Sequence, residues 1–161
     1  LAVANYLLGG SSLKSRLADR IRQKDGLSYG INSGLQVGAI SDAGYFSVRA
    51  IAAPQNLDKV DAAVREEIAL LIKDGFTEEE LLRAKSGILQ QRNQQRAGDG
   101  GIATSWSALM NLDRSFLWQQ QLDLKLADLT LAQLNAAVRK YIDPARMTVV
   151  IARDEAKAGQ P

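Results

Sequence analysis

The chain contains no cysteine and no histidine. Without cysteine there is no thiol nucleophile and no disulfide framework. Without histidine there is no Ser-His-Asp or Cys-His catalysis, and no histidine-containing metal site. Long apolar runs are also missing: nothing approaches the ~20 residues of a membrane-spanning helix. Charge of one sign is scarce, since the formal net charge is only +2, too little for the electrostatic footprint of a nucleic-acid binder. What excess there is sits early, where Lys14, Arg16, Arg20, Arg22 and Lys24 face only Asp19 and Asp25 within residues 1–30.

With 46% hydrophobic and 24% charged residues, the composition is that of a globular chain and excludes wholesale disorder or a collagen-like repeat. The length predicts a single domain over residues 1–153 followed by a tail at 154–161. The chain opens Leu1-Ala2-Val3, with neither an initiator Met nor a leader pattern, and reads as a segment of a longer polypeptide.

Hydrophobic spacing predicts the order α-β-β-α-α-α-α-β. Residues 1–8 are helix-compatible and stop at Gly9-Gly10. Ser11 or Ser12 then caps a helix whose apolar stripe is Leu13, Leu17 and Ile21, and Asp25-Gly26 closes it. From Leu27 the period changes to two, with Leu27, Tyr29, Ile31, Leu35 and Val37 on one face. A turn at 38–44 leads into a second strand, Tyr45 to Ala52, so 27–52 reads as an antiparallel hairpin. A helix carrying Leu57, Val60, Val64, Ile68 and Leu71 runs to Gly75. Thr77 and Glu80 form a capping box, with Phe76 and Leu81 as a hydrophobic staple. That helix ends at the glycines of 98–101, and residues 102–125 form another, interrupted near Asp113. A second capping box follows at Thr130 and Gln133, with Leu129 and Leu134 as its staple, and the helix stops before Asp143-Pro144. Met147 to Ile151 reads as a short closing strand. The fold class is therefore α+β: a mainly antiparallel sheet with helices on one face.

Few residue groups offer chemistry. Ser11-x-x-Lys14 matches a short pattern of acyl-transferring serine enzymes, but neither S-D-N nor K-T-G follows, and helix capping beside a solvated lysine explains it. The glycines at 98–101 lack a P-loop lysine and read as a linker. Glu78, Glu79 and Glu80 are consecutive, point in different directions and cannot converge on one ion; they suit the first turn of a helix. Gln90, Gln91, Gln94 and Gln95 form a polar helix face. The remaining candidate is the junction from Arg20 to Gly30. Arg22 and Tyr29 flank a glycine turn between helix and strand, and both are donors able to hold a carbonyl oxygen or an oxyanion. On the residues alone the structural reading comes first, with Arg22 as a C-terminal helix charge and Tyr29 as a core aromatic.

The stretch Leu7-Leu8-Gly9-Gly10-Ser11-Ser12-Leu13-Lys14-Ser15-Arg16-Leu17, followed by Ile21-Arg22 and Gly26-Leu27-Ser28-Tyr29, resembles the second-domain signature of the insulinase/pitrilysin-type zinc peptidases. That family includes the mitochondrial processing peptidase. The resemblance continues through the hairpin, the helix start at Thr77-Glu78-Glu79-Glu80-Leu81 with Ala84-Lys85, and Met147-Thr148-Val149-Val150-Ile151.

The resemblance implies the metallohydrolase fold of that family, in which two halves close like a clamshell around an unfolded peptide. One half carries His-x-x-Glu-His and zinc. The other lacks zinc and contributes an Arg and a Tyr that bind the substrate carbonyl; these map to Arg22 and Tyr29. By this resemblance the chain holds no catalytic residue, metal or cofactor of its own and is inactive alone. Zinc belongs to a partner half, in the same polypeptide or in another subunit. Two alternatives stay open: a scaffold subunit with no role in proteolysis, or the second domain of the zinc-bearing half. A bacterial periplasm or cell envelope fits the family as a location.

Overall fold

The computed structural model describes residues 1–11, 14–41 and 43–153. Ser12, Leu13 and the tail at 154–161, all singled out above, lie outside these. Helix α1 (Ala2–Asn5) continues without a break into a π-helical segment, Tyr6–Gly10. The Ser11 N–H reaches back five residues to the Tyr6 carbonyl at 3.0 Å. Gly9-Gly10 therefore widens the helix where the sequence suggested an interruption. The reason is packing. A Cβ on Gly9 would lie 2.6 Å from the Ser33 backbone nitrogen, so only glycine lets this helix rest directly on a strand. Gly9→Ala is expected to cost about 1–3 kcal/mol, the usual range for forced overpacking. Gly30→Ala, whose Cβ would meet nothing within 4 Å, is the control. Thermal melts of the two variants compare them directly.

The next helical stretch starts later than Ser11 or Ser12 predicted. Ser15 caps it, accepting the Ala18 N–H on its hydroxyl at 3.4 Å. It widens into a second π-helical segment, Ala18–Lys24, closed by the Asp25 N–H on the Arg20 carbonyl at 2.9 Å. Leu17 and Ile21 are fully buried, as the stripe required.

Strands β1 (Gly30–Val37) and β2 (Gly44–Ile51) pair antiparallel, from Gly30 opposite Ile51 to Val37 opposite Gly44. Ile31 and Ser33 face inward against the N-terminal helix, where the Ser33 hydroxyl bonds Asn5 Oδ1 at 2.8 Å. Phe46, Val48 and Ala50 of β2 join the same core. The helices cover only the middle of this face. Tyr29 and Val37, at its two ends, share its parity but are exposed.

Helix α2 (Leu57–Asp74) buries Val60, Ala63, Ile68 and Leu71. Helix α3 (Glu78–Gln95) carries the predicted capping box, with both the Thr77 and the Glu80 bonds formed. Its staple residues Phe76 and Leu81 are buried. Helix α4 (Asp99–Met110) begins three residues earlier than expected, taking Gly100 and Gly101 into its first turn. Asp113, with a φ of 51°, separates it from α5 (Phe116–Asp128) at the predicted interruption. Helix α6 (Leu131–Tyr141) has the second capping box complete. Its Asn135 clasps the Phe76 backbone, accepting the N–H at 2.8 Å and donating to the carbonyl at 3.2 Å.

The closing strand is the main correction. Met147–Ile151 forms no ladder, and among the described residues the sheet has two strands. A cleft of about 600 Å3, floored by Leu57, Val60 and Val64 of α2, lies between this segment and β2. β-Branched residues favour extended backbone, but a strand also needs a neighbour within hydrogen-bonding distance. The α+β class stands: an antiparallel hairpin with helices on one face.

Candidate functional site

The helix-to-strand junction is held firmly from beneath. Arg20 donates to Asp25 at 2.8 Å and to Glu66 of α2 at 3.0 Å, fixing the end of the π-helical segment. Gly26 then turns the chain with a φ of 62°, a left-handed conformation that disfavours a side chain. The Leu27 N–H closes on the Ile21 carbonyl at 2.9 Å, and the Tyr29 N–H on the Ile51 carbonyl at 2.9 Å. Ser28 is buried, with its hydroxyl 2.8 Å from the Ile51 carbonyl and 2.9 Å from that of Gly30.

On this fixed backbone stand Arg22 and Tyr29, with side chains directed to solvent. Tyr29 is 80% exposed, which excludes the core-aromatic reading. Arg22 is exposed as well. Neither side chain makes a hydrogen bond or ion pair with the described residues, nor do they bond each other. The contrast with neighbouring basic residues is informative. Arg16 and Arg20 are consumed by carboxylates, while Arg22 is left available.

Arg16 is the residue whose role the sequence hid. Its guanidinium grips Glu80 with two bonds, at 2.7 and 2.8 Å, and donates to the Gly75 carbonyl at 2.8 Å. It also stacks 4.8 Å over the Phe76 ring. Burial pushes the Glu80 carboxyl up, but the bonds from Arg16 and Thr77 outweigh it and hold the carboxyl below its ordinary value. The signature Arg16-Leu17 and the Glu80 of the capping box were both visible; their contact, across 64 residues of sequence, was not.

The remaining sequence candidates gain nothing. Lys14 is exposed. Of the glycines at 98–101, Gly98 precedes α4, and Gly100 and Gly101 lie in its first turn. Zinc does not fit this chain. It has no imidazole or thiolate to offer, and among the described residues no three acidic side chains converge. No helix among them is long and apolar enough to cross a membrane.

A two-stranded antiparallel hairpin packed under helices, with no cluster of three acidic side chains among the described residues, defines the class as an α+β domain. The sequence profile described as the peptidase M16 inactive domain matches residues 1–88, and the chain belongs to that family. An uncharacterized zinc protease of Mycobacterium leprae is 28% identical over 150 residues, covering 89% of this chain and 32% of its own length. One from Streptomyces coelicolor is 31% identical over 149 residues, covering 88% and 30%. The chain thus spans about a third of the curated relatives it matches. Among solved structures, the peptidase M16 inactive domain from Pseudomonas fluorescens superposes with a TM-score of 0.75 at 23% identity, covering 88% of this chain and 33% of that one. At that identity the likeness concerns the fold.

Proposed function

We propose that this chain is the substrate-holding, zinc-free part of a zinc endopeptidase, in which Arg22 and Tyr29 bind a backbone carbonyl of an unfolded peptide. The observation that carries this reading is that Tyr29, 80% exposed, and Arg22, also exposed, both lack a partner among the described residues, at the two ends of a junction whose Asp25, Leu27 and Tyr29 N–H groups are bonded. Two donors without partners among the described residues have no internal bond to break on binding a ligand, which offsets part of the cost of ordering their side chains. The Tyr29 O–H and the Arg22 guanidinium would donate to the carbonyl oxygen. Those bonds strengthen as the carbon becomes tetrahedral and negative charge gathers on the oxygen. The metal, for which this chain has no imidazole or thiolate, would come from a zinc-bearing half in the same polypeptide or a partner subunit.

The test is reconstitution. Cleavage of an unstructured quenched peptide by the zinc-bearing half is measured with and without this chain. Restoration of cleavage supports the reading. No change on addition removes it and leaves a scaffold role.

A further inference from the structure

Away from the junction, where α3, α4 and α5 meet, two cavities adjoin. One, of about 240 Å3, is lined by Arg92, Arg96, Ser105, Trp118 and Gln119. The other, of about 610 Å3, shares Arg96 and Gln119 and is walled by Ile102, Trp106, Phe116 and Leu117. Arg92 and Arg96 both bond Asp123, Arg96 at 2.6 Å to Oδ2 and Arg92 to Oδ1. Both carboxylate oxygens are thereby used, while each guanidinium has five N–H donors. Two cations share one anion, so the site carries excess positive charge. Gln119 Oε1, in contrast, is buried without a hydrogen-bond partner among the described residues, a costly state for an acceptor. The larger cavity places apolar side chains, Ile102, Trp106 and Leu117 among them exposed, against this polar end.

The site thus offers spare donors, one orphaned acceptor and an apolar chamber side by side. An inorganic anion would use only the donors. It would leave Gln119 Oε1 facing another acceptor and the chamber empty. The last residue of a peptide carries a carboxylate, an N–H and a side chain on one carbon, which matches all three features together. We propose that the two cavities bind the free C-terminal residue of a peptide. Its carboxylate would sit on Arg92 and Arg96, its N–H on Gln119 Oε1, and an apolar side chain against the apolar wall of Ile102, Leu117 and the paired rings of Trp106 and Phe116. The proposal rests on the peptide-binding reading above and adds a second point of attachment, specific for a chain end.

The two tryptophans of the chain, Trp106 and Trp118, line one cavity each, so tryptophan emission reports locally. The 161-residue chain is titrated with N-acetyl-Gly-Gly-Leu and with its C-terminal amide. The free acid is expected to change the emission saturably, and the amide to bind at least tenfold more weakly. Arg96→Gln should abolish that preference. Gln119→Leu removes an acceptor that has no partner, so it should melt no lower than wild type while weakening the acid at least fivefold; this variant keeps the test decisive if Arg96→Gln does not fold. Equal binding of acid and amide overturns the proposal, as does silence of both tryptophans. Arg22→Ala/Tyr29→Phe should retain the acid preference. Loss of cleavage in that variant, with no acid preference in wild type, would sink the C-terminal site and leave the carbonyl-binding reading standing.

Discussion

Cleavage by the assembled peptidase is expected to fall about a hundredfold when Arg22→Ala and Tyr29→Phe are combined, at the lower end of what removing an oxyanion donor costs. The melting curve of the variant should coincide with that of wild type. Both side chains are exposed and neither bonds a described residue, and substitutions at such positions usually stay within about 0.5 kcal/mol. Tyr29→Phe deletes only the hydroxyl, so a loss of rate with unchanged stability is assigned to that one donor. If the contacts form mainly in the transition state, kcat falls and KM holds. A doubly substituted chain that supports wild-type cleavage would remove Arg22 and Tyr29 from the reaction and favour the scaffold role.

Arg16→Ala should be the most destabilising single change among the charged residues. The side chain joins three elements: the segment it starts, the end of α2 through the Gly75 carbonyl, and the start of α3 through Glu80 and Phe76. Its loss leaves Glu80 half-buried without its main partner. Breaking a buried pair costs about 3–5 kcal/mol. Residual exposure of 21% for Arg16 and 15% for Glu80 screens part of that, so about 2–3 kcal/mol is expected. That corresponds to roughly 5–10 °C in Tm for a domain of this size. Arg16→Lys should recover little, because an ammonium cannot reproduce the two-pronged grip.

The same pair governs the acid limb of stability. The folded Glu80 carboxyl lies below its unfolded value. Its contribution is therefore present above the unfolded carboxylate range and is lost as pH falls through the lowered folded value. Glu67 has the opposite sign. Burial raises its carboxyl, and attraction to Arg16 and Arg20 offsets this only in part. Ionised Glu67 thus costs stability, and that cost is relieved as pH drops below its raised value. Melts from neutral to acid pH should first rise slightly and then fall. In Arg16→Ala the final fall should be shallower, because Glu80 has lost the partner that lowered it, and the early rise larger. Identical pH profiles for the two proteins would show that the pair does not control the acid limb.

Local chemistry made much of this protein legible. Thr77 with Glu80 and Thr130 with Gln133 announced two helix starts, and both boxes are closed in the structure. Such signals act over three residues, so no distant contact is needed to read them. The spacing of Val60, Ile68 and Leu71 identified a buried helix face for the same reason. Met147–Ile151 misled because its β-branched residues report backbone preference, whereas a ladder depends on another segment. Gly9 looked like a helix breaker because its contact, Ser33, lies on a strand.

By itself the sequence determined the α+β class, the two capped helices, the absence of any imidazole or thiolate for zinc, and Arg22 and Tyr29 as the donors to examine. Only the tertiary structure decided that Tyr29 lies outside the core, that Arg16 is spent on Glu80, and that Arg92 and Arg96 converge on Asp123. The physical reason is range. Caps and stripes are set by bonds between residues within a helical turn or two, while exposure and ion pairing depend on which distant segments pack together, 27 to 64 residues apart for these pairs.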